Sequence, residues 1–266
     1  MNAEPLNLGI HGAAGRMGQV LIRLIAEDPA LRLAAAFDRP DHPRIGADAG
    51  SLAGVAPLGV ALEGGGTLER GKLDVLIDFS QPRPALELAR ACRDRGIPLV
   101  VGTTGFEAAQ RQALEECGET IPLLVSPNMS RAVNLLMKLV ETAARSLAQA
   151  ADIEVVERHH RRKKDAPSGT ALRLAEVAAQ AAGRKRFVFG RQGLIGERSD
   201  DEIGIHALRG GDAPGDHTVV FSLLGETLEL THRATTREAF ARGALEAAKF
   251  LARRPPGLYS MEEVCG

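Results

Sequence analysis

Short apolar runs alternate with helix-like stretches along the first half of the chain. The runs contain little polar alternation, which is typical of parallel strands buried on both faces. Five strands are predicted, at Leu6 to His11, Leu31 to Phe37, Leu73 to Phe79, Pro98 to Gly102 and Ile121 to Val125. Helical periodicity lies between several of them, at Met17 to Glu27, Pro84 to Arg95 and Glu107 to Cys117. This order predicts an α/β unit in which helices cover both faces of a parallel sheet.

The glycine-rich stretch from Asp41 to Glu69 is only weakly periodic. We expect a loop region there, with at most one short strand near Leu58 to Ala61. After Met129 the pattern changes to a long helix, Val133 to Gln149, and a strand, Asp152 to Arg158, that runs directly into His159 and His160. A helix at about Thr170 to Ala182 follows. Four runs that look like antiparallel strands come next, at Arg186 to Phe189, Ile203 to Leu208, His217 to Leu224 and Thr227 to Thr231. The last predicted helix is Thr236 to Arg253.

These patterns predict two domains. The first comprises residues 1–130 and is completed by residues 236–266, and the second is an α+β domain of residues 131–235 with a mixed, mainly antiparallel sheet. A chain of 266 residues is long enough for two such domains. Val219 to Leu224 is apolar on nearly both faces, whereas few helices follow Gly183 to cover a second face. We therefore expect the second-domain sheets of several copies to pack together.

Composition excludes several classes of function. The formal net charge is −1, and the chain has no tryptophan and one tyrosine, so neither a general basic surface nor base-stacking platforms support nucleic-acid binding. The three cysteines are widely separated and no HExxH spacing exists, so we expect neither disulfides nor a metal site. No apolar run approaches the ~20 residues that span a bilayer, and Leu6 to Ile10 is too short for a signal peptide. We expect a cytoplasmic protein with no membrane partner.

A glycine-rich turn, Gly12 to Gly18, joins the first strand to the first helix. Its GxxGxxG spacing lets the backbone approach a pyrophosphate beside the N–H groups of a helix N-terminus, although similar turns also occur without ligands. The second strand ends at Asp38, which suits ribose hydroxyls, and Arg39 suits a 2′-phosphate. Two further strands end in GTTG and SPNM, at the edge where open α/β sheets bind ligands. A Rossmann-type doubly wound sheet that binds NADH or NADPH is the simplest interpretation.

The segment from Glu157 to Ala171, ERHHRRKKDAPSGTA, contains the candidate chemistry. Two imidazoles and four consecutive cations precede a predicted helix N-terminus, which offers N–H donors to an anion. Histidine titrates near neutral pH, and a lysine crowded by Arg161, Arg162 and Lys164 should lose its proton more readily. Acid/base groups beside an anion site indicate chemistry on a small carboxylated molecule. A solvated basic loop, or a nucleic-acid patch, is the alternative. The other histidines, His11, His206, His217 and His232, are interpreted as structural.

Taken together, the motifs GAAGRMG, VVGTTG, SPNMS, HHRRKKDAPSGTA and RGGDAPGDHTVVF resemble those of the 4-hydroxy-tetrahydrodipicolinate reductase (dihydrodipicolinate reductase) family. The resemblance spans nearly the whole chain. It implies a nicotinamide-dependent reductase of the diaminopimelate and lysine pathway, a cyclic dicarboxylate substrate and a homotetramer.

The resemblance also implies residue roles. His159 and Lys163 would provide acid/base catalysis, His160 would bind substrate, and Gly169 and Thr170 would hold a substrate carboxylate. The coenzyme contacts would be Gly12, Ala13, Ala14, Gly15, Arg16, Met17, Asp38, Arg39, Gly102, Thr103, Thr104, Ser126, Pro127, Asn128 and Met129. Lys164 falls at a position that varies in the family. Arg131-Ala132 departs from the family, which often has a small residue and then glycine there.

Two other functions remain open at this point. One is another two-domain dehydrogenase acting on an aspartate-derived aldehyde or on homoserine, but covalent aldehyde oxidation needs an activated cysteine, and none of the three lies in a catalytic setting. The other is a nicotinamide-sensing regulator whose basic loop binds nucleic acid, which predicts DNA affinity that falls steeply with salt.

Overall fold

The computed structural model describes residues 4–65, 68 and 73–266. The chain divides into two compact units, one of residues 1–131 with 237–266 and the other of residues 132–236. No helix among the described residues is long and apolar enough to cross a membrane.

The first unit contains a sheet whose strands are all parallel. Within the described residues the strand order is β12-β6-β5-β4-β1-β2-β3. The strands are β1 (Leu6–His11), β2 (Leu31–Asp38), β3 (Leu62–Gly64), β4 (Val75–Asp78), β5 (Leu99–Val101), β6 (Pro122–Val125) and β12 (Gly257–Tyr259). The helices are α1 (Arg16–Glu27), α2 (Ala49–Ala53), α3 (Pro82–Arg95), α4 (Ala108–Glu115), a 3₁₀ turn (Glu116–Glu119), α7 (Glu238–Leu251) and α8 (Met261–Cys265).

Apolar cores lie on both faces of this sheet. Alternate residues of β1, β4, β5 and β6 pack with α1 and α7 in one core. The intervening residues of β4, β5 and β6 pack with α3 and α4 in the other. Because successive strand residues point to opposite faces, a continuous apolar run is what two covered faces require. The predicted doubly wound α/β sheet is therefore confirmed.

The second unit is built around a mixed five-stranded sheet of order β11-β10-β7-β9-β8. Its helices, α5 (Arg131–Leu147) and α6 (Gly169–Ala182), share one core with inward residues of β7, β9 and β10. The strands are β7 (Asp152–His159), β8 (Arg186–Phe189), β9 (Glu202–Arg209), β10 (Gly215–Leu223) and β11 (Glu226–Ala234).

The mixed sheet is confirmed, but the expectation that its later strands all run antiparallel is wrong. β10 is antiparallel to both β7 and β11, whereas β9 is parallel to both β7 and β8. After β7, helix α6 carries the chain back to the edge of the sheet at which β7 begins, so β8 runs in the same direction as β7. Residues 190–201 carry the chain back to that edge a second time, so β9 runs in this direction too.

Two further sequence expectations need correction. The stretch from Asp41 to Glu69 contains the helix α2, and the side chain of its N-cap residue, Asp48, accepts a hydrogen bond from the Ser51 N–H. The strand in this stretch is β3 rather than residues 58–61. Residues 66–67 and 69 lie outside the described part. Val219 and Phe221 are fully buried on the helix side of their sheet, whereas Thr218, Val220 and Ser222 lie on the other face. That second face is mixed in polarity rather than apolar.

Candidate active site

The glycine-rich turn packs closely against the end of β4. Gly12 has a φ of 76°, and a Cβ there would lie 2.5 Å from the carbonyl oxygen of Phe79. Gly15 is the N-cap of α1 and has no side chain to cap it, so the first-turn N–H groups of this helix are not occupied by an N-cap side chain. Gly18 has no room for a Cβ because the backbone of Gly12 and Ala13 is too close. The turn is thus shaped by backbone approach, as a phosphate-binding turn requires.

Asp38 lies at the end of β2 beside this turn. Its carboxylate accepts hydrogen bonds from the backbone N–H of Ala14 at 3.0 Å and of Arg39 at 2.9 Å. Two fixed donors hold the carboxylate in place and leave lone pairs for ribose hydroxyls. The Arg39 side chain is exposed and lies 3.5 Å from the carboxylate of Asp41.

A cavity of about 650 Å³ brings these features together. Such a volume is within the range of small-molecule sites. The backbone turn, the fixed carboxylate and the exposed guanidinium fit a dinucleotide. Five of the predicted coenzyme residues line the cavity, namely Gly12, Ala14, Gly15, Asp38 and Arg39. Other lining residues are Pro40, His42, Phe79, Ser80, Gln81, Pro84 and Leu88.

A buried carboxylate, Asp78, joins the ends of three neighbouring strands and was missed by the sequence analysis. It is fully buried and accepts hydrogen bonds from His11 Nδ1, Ser80 Oγ and Thr103 Oγ1, each at 2.6 Å. Thr103 Oγ1 in turn accepts from the backbone N–H of Ser80 at 2.8 Å. His11, interpreted as structural, has this structural contact and also lines the cavity.

Most of the remaining predicted coenzyme residues lie at the ends of β5 and β6, and the others lie in the glycine-rich turn and the start of α1. Gly102 lies against the ring of Phe79, where a Cβ would overlap it, and Thr104 is exposed. Ser126 Oγ donates to the carbonyl of Asn128 at 2.9 Å, and Pro127 is exposed. Ala13 and Met129 are buried in the core. Arg16 is exposed at the start of α1, and Met17 is half-buried.

In the second unit, His159 is buried at the end of the central strand β7. Its Nδ1 hydrogen-bonds to Oε2 of Glu157 at 2.6 Å. Glu157 also receives two hydrogen bonds from Arg209, both at 2.7 Å, and one from the Ser168 N–H at 3.0 Å. The His159 ring lies edge-on to that of His217, 5.2 Å between centroids. Sequence reasoning missed Glu157 and Arg209, although a charged residue at an inward position of an alternating strand was a signal.

Burial dominates the titration of both histidines. It lowers the pKa of His159, although the neighbouring Glu157 carboxylate opposes the shift. It lowers the pKa of His217 to about 4. Burial alone would raise the pKa of Glu157, but hydrogen bonds from Arg209, His159 and the Ser168 N–H outweigh it and lower that pKa. At neutral pH the cluster therefore contains an ionised Glu157 and neutral imidazoles.

The loop after β7 carries the remaining predicted residues to the N-terminus of α6. Lys163 pairs with Asp165 at 2.8 Å, and its side chain is 20% exposed, whereas Lys164 is exposed. Lys163 is thus paired with an anion, whereas the sequence suggested that cations surround it. His160 Nδ1 accepts from the Arg162 N–H at 3.2 Å. Ser168 caps α6, and Gly169, the first helical residue, has open space around its Cα.

Ser168 connects this helix start to the histidines. Its Oγ accepts from the Ala171 N–H at 3.1 Å and lies 3.0 Å from His217 Nε2. A hydroxyl that accepts from a backbone N–H has its proton available for a neutral imidazole. Glu157 and Arg209 link His159, the Ser168 N–H at the start of α6 and the carbonyl of Asp165, the ion-pair partner of Lys163, so acid/base groups lie on the same loop as a helix N-terminus.

Two family models together match almost the entire chain. The one described as dihydrodipicolinate reductase, N-terminus, matches residues 6–129, and the one described as dihydrodipicolinate reductase, C-terminus, matches residues 132–265. The chain belongs to the dihydrodipicolinate reductase family. It is therefore an oxidoreductase of a family that uses a nicotinamide coenzyme.

Curated relatives of this family agree over the full length. Proteins named 4-hydroxy-tetrahydrodipicolinate reductase are similar at 46% identity in Nitrosomonas europaea (98% of each chain), 48% in Anaeromyxobacter sp. (98% of each) and 47% in Methylococcus capsulatus (98% of each).

A solved structure resembles the present one. A dipicolinate-bound dihydrodipicolinate reductase from Paenisporosarcina sp. TG-14 has a TM-score of 0.74 at 25% identity and covers 96% of this chain and 97% of its own. An amine dehydrogenase from Mycobacterium smegmatis, with a TM-score of 0.67 at 12% identity over 98% and 96% of the two chains, shares the fold alone.

Proposed function

We propose that this protein reduces 4-hydroxy-tetrahydrodipicolinate to tetrahydrodipicolinate with NADH or NADPH and one proton, releasing water and the oxidised coenzyme, in diaminopimelate and lysine biosynthesis. The observation that carries the proposal is the loop from His159 to the start of α6. It combines a buried imidazole, a lysine–aspartate ion pair and a capped helix N-terminus in one hydrogen-bonded segment. The names of the full-length relatives, 46–48% identical, support the same substrate.

The coenzyme, when bound, supplies a hydride to the unsaturated substrate carbon. The residues proposed to hold it are the turn from Gly12 to Met17, Asp38 and Arg39, with Gly102 to Thr104 and Ser126 to Met129. Asp38 is suited to the ribose hydroxyls because backbone N–H groups already fix its carboxylate. Arg39 is suited to a 2′-phosphate because its guanidinium is exposed at the same strand end. Neither coenzyme is excluded by this pair.

Substrate binding and protonation belong to the second unit. His160 and the Gly169–Thr170 turn would hold carboxylates, using the N–H groups and dipole of α6. Lys163, as an ammonium ion paired with Asp165, would donate the proton that completes reduction. Burial lowers the pKa of His159, so this residue is neutral at rest and would accept a hydrogen bond or proton at Nε2.

A covalent aldehyde oxidation of the aspartate-derived kind lacks a nucleophile among the buried thiols. Burial raises the pKa of Cys92 and of Cys117, which disfavours the thiolate that such chemistry needs.

The direct test is oxidation of reduced coenzyme by the purified protein when the cyclic dicarboxylate is generated in situ. We expect substrate-dependent loss of coenzyme absorbance, with dipicolinate as an inhibitor. An inert protein that instead bound DNA with strong salt dependence would be a regulator, and the proposal would be wrong.

The family resemblance supports a homotetramer. A cytoplasmic location is proposed because biosynthetic reduction draws on the reduced coenzyme of that compartment.

A further inference from the structure

The Glu157 carboxylate is completely enclosed and all of its hydrogen-bonding capacity is used. It lies on β7 two residues before His159, so both side chains point to the same face of the sheet. It accepts two bonds from Arg209, one from the Ser168 N–H and one from His159 Nδ1. Four donors match the lone-pair capacity of a carboxylate, so the group has a single orientation.

Arg209 is fixed as well, which extends the constraint to the substrate-binding loop. In the parallel register, Arg209 is the partner of His159 on β9. Besides Glu157, its guanidinium donates to the carbonyl oxygens of Asp165 and Leu208, each at 2.7 Å. One ion pair thereby connects β7, β9, the loop that carries Lys163 and the start of α6.

We propose that Glu157, held in place by Arg209, is a positioning residue that fixes the Nδ1–H tautomer and the ring orientation of His159, leaving Nε2 for the substrate. This inference rests on the proposed function. A carboxylate that accepts from one imidazole nitrogen determines which nitrogen carries the proton and stabilises the imidazolium when it forms. The same carboxylate, bonded to the Ser168 N–H, links that orientation to the helix end proposed to bind the substrate carboxylate.

Glu157 is the anion among the charged groups that act on His159. Its surroundings include Glu157 on its own strand, Lys163 on the following loop, Arg209 on β9 and the neutral His217 on β10. Burial and both cations lower the pKa of His159, and Glu157 alone among these groups raises it. Loss of the Glu157 charge should therefore lower that pKa further, because the imidazolium would face two cations without an anion.

Glu157→Gln tests the proposal, since it keeps the side-chain size and removes the charge. We expect kcat/KM to fall by at least roughly 10–100-fold, the range for carboxylates that orient metal-bound histidines, which have the same orienting role. The limb of the pH profile that depends on His159 should move to lower pH. Coenzyme affinity, measured by fluorescence titration without substrate, should stay unchanged. In a His159→Ala background, Glu157→Gln should add little further loss, because its effect acts through His159.

Glu154→Gln provides the matched control. Glu154 lies on the same strand, three residues earlier, and like Glu157 pairs with arginine and histidine, in its case Arg191, Arg198 and His206. It faces the other side of the sheet. We expect Glu154→Gln to lower the thermal stability and leave the pH profile of kcat/KM unchanged.

Three outcomes are decisive. A Glu157→Gln protein that is less stable but keeps the wild-type pH profile, like Glu154→Gln, would overturn the positioning role. Additive losses with His159→Ala would do the same. If Glu157→Gln does not fold, Glu157→Asp keeps the charge for Arg209 but shortens the reach to His159, and an unchanged kcat/KM there would also overturn it. An inactive wild-type protein would instead refute the proposed reductase function itself.

Discussion

Two adjacent lysines differ sharply in their surroundings. Lys163 is 20% exposed and paired with Asp165, whereas Lys164 is exposed. If Lys163 donates the final proton, Lys163→Ala should lower kcat by roughly 10²–10⁴-fold, the range for loss of a general acid. Steady-state kinetics with saturating coenzyme measures this effect, and Lys164→Ala is the control, expected to be mild. A crippling Lys164→Ala beside a mild Lys163→Ala would show that the catalytic lysine has been misassigned.

Coenzyme choice also depends on single residues. Arg39 lines the cavity, and the Asp38 carboxylate beside it is held by two backbone N–H groups. Arg39→Ala should weaken NADPH roughly 10–100-fold, as expected for a lost hydrogen bond to a charged group, and change NADH little. Fluorescence titration of both coenzymes measures the two affinities. Arg44→Ala, an exposed arginine nearby that does not line the cavity, should change neither. Equal losses for both coenzymes would place Arg39 away from the 2′ position.

At the scale of elements, helix α7 packs closely against the SPNM segment, residues 126–129, at Gly243. A Cβ at Gly243 would overlap the carbonyl oxygen of Met129, the last residue of the SPNM segment. Gly243→Ala should therefore cost about 1–3 kcal/mol of unfolding free energy through overpacking, despite the better helix propensity of alanine. Urea unfolding measures this cost. Arg242→Ala, an exposed neighbour on α7, should stay within about 0.5 kcal/mol of wild type. A stabilised Gly243→Ala would mean that the helix moves away freely.

Most elements that the sequence predicted show a continuous apolar run, an alternating pattern or a helical period. The strands β1, β2 and β4 could be read from continuous apolar runs, β7 from alternation, and the helices α1, α3 and α6 from helical spacing. The five-residue helices α2 and α8 and the three-residue β12 are too short to show either. The direction of β8 and β9 depends on where the chain crosses over, which hydrophobic pattern does not encode.

The residues of the candidate site also fall into those that the sequence could identify and those that it could not. The glycine turn, Asp38 and the His159–Lys163 segment are contiguous motifs, so the sequence could identify them. Glu157 and Arg209 are 52 residues apart, and only the parallel register of β7 and β9 brings them together. Asp78 and Thr103 meet likewise at the ends of β4 and β5. Contacts of this kind depend on the tertiary fold, and a charged residue at an inward strand position is their only local sign.

At the scale of the whole molecule, exposed apolar side chains concentrate in the second unit. Both of its helices pack on one face of the five-stranded sheet, and neither covers the other face. Among the described residues, the exposed large apolar side chains of this unit are Leu135, Leu139, Phe189, Leu194, Ile195, Leu208, Leu224 and Leu228. Leu194 and Ile195, on the segment between β8 and β9, are 107% and 55% exposed. Leu194 and Ile195 are neighbours in the sequence and form an exposed apolar surface suited to association.

The proposed homotetramer gives this surface a partner, a second copy of the chain. Light scattering of the wild-type protein at micromolar concentration should report about four times the chain mass of 28.2 kDa. The double variant Leu194→Asp with Ile195→Asp should shift the mass towards smaller species, because charges there would lose their water on association. Ile45→Asp, at a 40% exposed position of the first unit, is the matched control and should leave the mass unchanged. A wild-type mass of a single chain would contradict the tetramer. A tetramer that survives the double variant would place the interface elsewhere on the chain.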